Sequence, residues 1–504
     1  MSERRYKKVI NRHAPALFPP SMEDYVTQGN PVRAIDAYVE SLDMNSFGFQ
    51  NSGKQYTAGQ PAYPPQGLLK LYLYGYLNRV RSSRRLEKEV HRNVEAIWLM
   101  EGLKPSYKTI ANFRKENAEA LRQVNKDFVI LCKELELFGG ELVGIDGSFF
   151  KASASKASIQ TQAQLEKEIQ RIEQEIKEYQ QTLNRQDQED ERQGIGSTAQ
   201  DNKLSEKLET LKTRKQKSQA DLDEMEQQGE TQRSRSDKDA RLLSKNGQRV
   251  AGYNVQQSID SKHKLIVAHE VTNDGNDVKQ LLPMAQRSQE VMERERLTVV
   301  ADAGYYNPEQ IKACQEAGIT PYVSIPNKSS AIKAQGRFTR EQFQFDVEQN
   351  HYRCPAGQLL KQVGKPYKKR GRMMLRYKPK ASDCCQCEKR EQCLTEKARI
   401  RQINRWEHEG VIDEHRARMK EKGPEMMRRR SGLAEHPFGT LKRWFGWDHF
   451  LVRGFVKVRG EMSLMVLGYN LTRVIHTIGL EAFRDYCASK KRMAEVCVES
   501  AVMA

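Results

Sequence analysis

The sequence predicts a mixed α/β protein. A helical N-terminal domain precedes a central α/β unit, a long antiparallel helical hairpin interrupts that unit, and a small, basic, Cys-rich insertion follows it. Three observations predict this. Helical apolar spacing dominates residues 64–117. Two apolar strand-like runs, ELVGIDGSFF (141–150) and LTVVADAGYY (297–306), share one pattern. Between them, residues 165–225 carry apolar side chains at alternating steps of four and three.

The elements follow in order. Residues 1–60 form a weakly patterned arm. In 61–138, Leu69, Leu71, Leu73, Tyr76 and Leu77, then Leu86, Val90, Val94 and Ile97, recur mostly at helical spacing. Ser106, just after a proline, is placed to cap a further helix. Arg79, Arg81, Arg84 and Arg85 lie between the two apolar sets, and short helices with an Arg-rich connection suit docking on DNA. A solvated basic face on an ordinary bundle is the competing reading.

Residues 139–158 and 236–325 make the first parts of the α/β core, with strands at RVAGYNVQQSID and KLIVAHEV and helices around 278–295 and 307–318. Residues 159–235 are the inserted hairpin. Leu165, Ile169, Ile172, Ile176, Tyr179 and Leu183 continue into Leu204, Leu208, Leu211, Ser218, Leu222 and Met225, with Lys215 in the seam. Residues 326–402 form the Cys-rich β insertion, 403–482 a C-terminal helical part of the core, and 483–504 a tail. MSLMVLGYNL (462–471) reads as a buried helix.

The 504 residues carry a net charge of +18, with 30% charged and 38% hydrophobic residues. An excess of this size favours polyanions, nucleic acid first among them. The start, MSERRYKKVI, lacks the apolar core of a secretory signal, and no run spans a bilayer. Nine cysteines, four of them crowded between 384 and 393, argue for reduced thiols or a metal over a secreted disulfide framework. The expectation is a cytoplasmic protein with no membrane partner and no small-molecule substrate. KPYKKRGRMMLRYKPK (365–380) adds Lys368, Lys369, Arg370 and Arg372 beside two tyrosines, a mixture fitted to DNA backbone contact and stacking.

The chemistry rests on carboxylates. Asp146 and Asp302 each end an apolar strand and precede small residues and an aromatic pair. An ionised carboxylate on a buried strand needs compensation, and two ions of Mg²⁺ or Mn²⁺ would supply it. Glu435, the one acidic residue in RRRSGLAEHPFGTLKRW (428–444), would be the third ligand. Pro437 suggests a first helical turn, with Glu435 at or just before a helix start. Lys442 would then lie two turns on, on the same face, toward phosphate. Taken singly, Asp146-Gly147 is equally a turn signal, Asp302 a helix cap and Glu435 a partner for an arginine. Asp260, Asp274 and Asp277 are rival carboxylates in turn-like segments.

On PPQGLLKLYLYGYLNRVRSSRRLEKEVHRN, SDKDARLL, GYNVQQSIDSKHKLIVAHEVTNDGND, VVADAGYY and EHPFGTLKRW, in that order, the chain resembles bacterial insertion-sequence transposases of the DDE type. The group is the one with an InsH-like N-terminal domain. The resemblance implies an RNase H-like catalytic core with Asp146 on its first strand, Asp302 after its fourth and Glu435 on a late helix. It implies binding to terminal inverted repeats of double-stranded DNA, metal-dependent strand cleavage and strand transfer, a homodimer in a synaptic complex, and work at the nucleoid. Related transposases often carry a Tyr-Arg-Glu-Lys signature. Here the Glu435–Lys442 spacing matches, Arg428 occupies the tyrosine's place, and Arg430, expected on DNA, is offset by one residue. Two-metal chemistry would proceed by in-line displacement, without a covalent protein–DNA intermediate.

Cys354, Cys384, Cys387 and Cys393 suit a structural zinc, with free buried thiols as the other reading. Two further functions compete with transposition: a host nuclease of the same fold without strand transfer, and a non-enzymatic coiled-coil architectural protein. The matched aspartate strands have no role in the second of these.

Overall fold

The computed structural model describes residues 21–51, 61–193, 199–245, 247–326 and 329–503, so parts of the predicted N-terminal arm lie outside the described residues. Six helices come first: α1 (Val32–Glu40), α2 (Pro65–Leu77), α3 (Ser83–Arg92), α4 (Val94–Leu99), α5 (Tyr107–Glu116) and α6 (Ala118–Glu134). Leu69, Leu71, Leu73, Tyr76, Leu86 and Val90 are buried. Ser106 accepts the Thr109 N–H at 3.3 Å and starts α5, as an N-cap does.

Arg81 requires a correction. It was expected on DNA, but its guanidinium is 8% exposed and donates to His449 O at 2.6 Å and Glu461 Oε1 at 3.0 Å. Glu461 is fully buried and also takes Arg114 at 3.3 Å. A buried carboxylate demands such partners, so Arg81 serves the interior.

The central part runs β1 (Leu142–Lys151), β2 (Ile159–Thr161), α7 (Gln162–Gln193), α8 (Ala199–Gln228), β3 (Gln232–Ser234), β4 (Arg241–Lys245), β5 (Gln248–Asp260), β6 (Ile266–Thr272), α9 (Leu281–Met292), β7 (Leu297–Ala301), α10 (Pro308–Glu316) and β8 (Ile319–Val323). Strands β4, β5, β1, β7 and β8 lie side by side, and β6 also pairs with β5. Strand β5 is antiparallel to β1, β4 and β6, whereas β1, β7 and β8 are mutually parallel neighbours. Asp146-Gly147 is not a turn: the two residues pair with Gln257 and Gln256 inside β1.

Helices α7 and α8 return on one another above the antiparallel β2–β3 pair. Near that base Leu165, Ile169, Ile172, Ser218, Leu222 and Met225 are buried. Farther out Ile176, Tyr179, Leu183, Leu204, Leu208 and Leu211 are half-buried, because two helices alone cannot enclose a seam. Lys215, the polar seam residue, pairs with Glu173 at 2.9 Å.

A second sheet follows α11 (Ser330–Ala334). It contains β9 (Gln344–Asp346), β10 (His351–Arg353), β11 (Leu359–Gln362), β12 (Tyr367–Lys369), β13 (Arg372–Lys378) and, after α12 (Ala381–Cys385) and α13 (Arg390–Cys393), β14 (Ile403–Trp406). Its buried hydrophobic cluster holds only Phe343, Tyr352, Leu360, Tyr377 and Ile403.

Helices α14 (Glu409–Glu421), α15 (Gly423–Gly439), α16 (Phe455–Ile478) and α17 (Leu480–Met503) complete the chain. The 462–471 stretch is buried within α16 as expected. Strand β14 pairs with β13, so residues 403–406 join the second sheet. Phe483 and Cys487 in α17 are buried, so the expected tail begins as packed helix.

Candidate active site

Strands β1 and β7 pair in parallel with Gly144 opposite Val300. Asp146, midway along β1, and Asp302, just after β7, each lie two residues beyond that last pair, which brings their carboxylates near one another. A Cβ on Gly144 would meet Leu433 Cβ at 3.1 Å, and Leu142, Val300 and Leu433 share one apolar cluster. The face of β1 that carries Gly144 and Asp146 is therefore the face under α15.

From α15, Arg430 reaches both aspartates. Its Nη2 is 3.5 Å from Asp146 Oδ1 and 3.8 Å from Asp302 Oδ2. The Asp302 side chain also accepts the Gly304 N–H at 2.9 Å, so the cap reading and the paired-carboxylate reading hold together.

Glu435 does not join them here. Its Oε1 accepts from the Ser431 hydroxyl at 3.1 Å, and it lines a cavity of about 590 Å³ with Lys264, His436, Arg443 and Trp444. Nor does Glu435 precede a helix: α15 runs through it and through Pro437. Proline has no N–H for the rung to Leu433 and crowds that carbonyl, and a π turn, Thr440–Trp444, comes directly after. The wider turn changes the facing of later side chains. Lys442 consequently leaves the Glu435 side and donates to Ser148 Oγ at 2.6 Å and to Phe149 O. Among the described residues no three His, Cys, Asp or Glu side chains stand together at metal-ligand spacing.

One of the rival carboxylates lies beside this pair. Asp277 is 6% exposed and accepts Asn254 Nδ2 at 2.8 Å and Gln256 Nε2 at 2.6 Å. A Cβ on Gly304 would fall 3.0 Å from Asp302 Oδ1 and 3.7 Å from Asp277 Oδ2, so the two acids flank that glycine. At Gly147 a Cβ would meet Gln256 Nε2 at 2.4 Å and Asp277 Oδ1 at 2.8 Å, which explains a glycine directly after Asp146. Beneath them the Tyr305 hydroxyl donates to Gln256 Oε1. Burial raises the Tyr305 hydroxyl well above its usual range, and the charges of Asp277, Asp146 and Asp302 push the same way. The signal in the sequence was the polar run Asn254, Gln256, Gln257 in a strand otherwise fit for a core, since buried amides require partners.

The other basic residues sort by exposure. Arg79, Arg84 and Arg85 are exposed; Arg79 stacks 4.7 Å from the Trp444 ring and Arg84 5.2 Å from Tyr107. Lys368, Lys369 and Arg370 are exposed at the β12–β13 hairpin, whose two-residue turn is Arg370-Gly371, both with positive φ. Arg372 is engaged with Glu309 at 2.8 Å and Asn307 at 3.1 Å. It braces the second sheet against α10, so its side chain is occupied rather than presented to DNA.

The sequence matches the family described as the transposase DDE domain over residues 210–471, more than half of the chain. The chain belongs to that family. Residues 20–116 match a second description, transposase domain (DUF772). The transposase aligns with a solved piggyBac transposase synaptic complex with hairpin DNA, covering 92% of this chain and 79% of that one at 8% identity and a TM-score of 0.33. That similarity is too low to define a shared fold. No curated protein matches. The protein is a DNA transposase, an enzyme of DNA cleavage and strand transfer. Among the described residues no helix is long and apolar enough to cross a membrane.

Proposed function

We propose that this transposase binds the terminal inverted repeats of an insertion sequence and carries out cleavage and strand transfer with Asp146, Asp302 and Glu435. The observation that carries the reading is the placement of Asp146 in β1 and Asp302 just after the adjacent parallel β7, both within reach of Arg430. The strand arrangement supports an RNase H-like core: an antiparallel β1–β5–β6 succession, then β7 and β8 parallel to β1 on its other side. On this reading the hairpin α7–α8 and the second sheet are insertions into the core.

The two aspartates are hard oxygen donors side by side, a donor set that suits Mg²⁺ or Mn²⁺. Bound divalent cations would activate the attacking oxygen and stabilise the leaving one. Until then Arg430 offsets half of the pair's charge, and it would withdraw from the carboxylates when a cation arrives. Glu435 completes the set if the end of α15 turns. Pro437 removes a rung there and the π turn loosens the residues beyond it, so this is where the helix yields most readily.

Lys442 fixes the end of α15 to β1 through Ser148 and Phe149 O and leaves cationic charge near the carboxylates. Lys264, Arg443 and the 65%-exposed Trp444 line the groove beside Glu435, a basic and aromatic lining suited to phosphate and unpaired base. The α1–α6 domain, through Arg79, Arg84 and Arg85, and the hairpin carrying Lys368, Lys369 and Arg370 would extend the grip along duplex DNA. The α7–α8 hairpin would join two protomers in a synaptic dimer, at work on the nucleoid in the cytoplasm.

The test is Asp302→Ala with the element's own ends as substrate. Lost Mg²⁺-dependent cleavage with retained end binding supports the assignment; undiminished cleavage removes it.

A further inference from the structure

The second sheet has too little apolar core to hold itself together. Its own cluster holds five buried hydrophobic residues for six strands, and buried Trp406 of β14 packs into the first unit's cluster instead, so the sheet holds less apolar core than a free-standing unit needs without a staple. At its end Cys354, Cys384, Cys387 and Cys393 line one cavity of about 30 Å³. None of the four is in a disulfide. Cys384, Cys387 and Cys393 lie close together in the sequence, and the fold brings Cys354, thirty residues earlier in the turn after β10, to the same cavity.

From these contacts we propose that the four thiols form a structural Zn²⁺ site that clamps the second sheet, separate from the carboxylate centre. The turn at Cys354 aims a backbone N–H at its sulfur. The Cys354 N–H donates to Gln358 O at 2.9 Å, Gly357 closes the loop at φ +85°, and the Gln358 N–H points back at Cys354 Sγ at 3.3 Å. An N–H aimed at sulfur orients a thiolate and disperses its charge, the role outer partners take around metal ligands. Cys387 begins a second tight turn, closed by the Arg390 N–H to Cys387 O at 3.1 Å.

Charge fits as well. Four thiolates around Zn²⁺ leave a net charge of 2−, and two guanidiniums stand at the cluster. Arg390 Nη1 donates to Cys384 O and Arg401 Nη1 to Cys393 O, each at 3.1 Å. The cysteine side chains do not yet stand at ligand spacing, so binding requires the sulfurs to swing into the cavity on χ1, with loss of a proton from each thiol. Cys385, exposed on the same helix, takes no part.

The test uses the full chain purified under reducing conditions, with zinc measured by elemental analysis. The expected result is close to one zinc per chain, retained through dialysis against EDTA and released by a mercurial that titrates four thiols. Co²⁺ exchanged into the site should give the strong visible bands of tetrahedral thiolate coordination. Cys384→Ser with Cys387→Ser should lose the zinc, while Cys385→Ser and Asp302→Ala should keep it; the last keeps this outcome apart from the catalytic assignment. If the double variant does not fold, the wild-type stoichiometry and the cobalt spectrum decide alone. Folded wild-type protein without zinc and with four freely reactive thiols would overturn the proposal, as would zinc that persists in the double variant.

Discussion

Asp146 and Asp302 each lie two residues beyond Gly144–Val300, the last pair of the β1–β7 ladder, and both face Nη2 of Arg430. Two carboxylates held by one guanidinium form a unit, and units respond to mutation differently from independent groups. Asp146→Asn and Asp302→Asn should each lower end cleavage by roughly a thousandfold or more, and the double variant should be no worse than either alone. Single-turnover cleavage of labelled ends measures this. Multiplying defects would mean that the two acids act separately.

On the proposed reading, Arg430 and a divalent cation would compete for the same oxygens. In EDTA, Arg430→Gln should destabilise the protein by about 1–3 kcal/mol, since it removes the cation that offsets the repulsion of two neighbouring, partly buried carboxylates. Mn²⁺ should then raise its melting temperature more than it raises that of the wild type. Equal metal-induced shifts in both proteins would show that Arg430 does not occupy the cation's place.

The β12–β13 hairpin offers a test of DNA contact away from the chemistry. Replacing Lys368, Lys369 and Arg370 with alanine removes three exposed cations. If all three touch phosphates, the slope of log Kd against log salt should fall by about 2–3, uniformly across sequences. An unchanged slope would return this hairpin to the solvent-facing alternative.

Glu461 supplies a pH signature for the fold. Burial works against its charged form, but Arg114 and Arg81 outweigh burial and hold the carboxyl below its ordinary value of 4.5. A carboxyl lowered on folding adds stability that is complete above about pH 4.5 and disappears as pH falls toward the folded value. Glu461→Gln should cost about 3–5 kcal/mol at neutral pH, because two guanidiniums lose a buried partner. It should also flatten the acid limb of the stability profile. Denaturant melts between pH 3 and pH 7 would show this, and an unaltered acid limb would place that dependence on other groups.

Much of the architecture was legible in the sequence because it follows from local periodicity. The α2 and α3 faces, the α7–α8 seam and the buried α16 each repeat apolar residues at the spacing their own backbone imposes, so no distant partner is needed to read them. Asp146 and Asp302 were legible for a related reason: a charge that interrupts an apolar strand stands out against its neighbours. What only the tertiary structure decided depends on partners far along the chain. Arg81 looks like a surface cation until Glu461, 380 residues later, is seen beneath it. Asp277 looks like a turn residue until Asn254 and Gln256 are seen to donate to it. The facing of Lys442 relative to Glu435 turned on a proline inside a helix and the π turn beyond it, a change in screw that spacing alone does not reveal. Side-chain type and rhythm are local properties of a polypeptide; which charges meet is set by the packing of whole elements, and there the sequence read one residue at a time has no say.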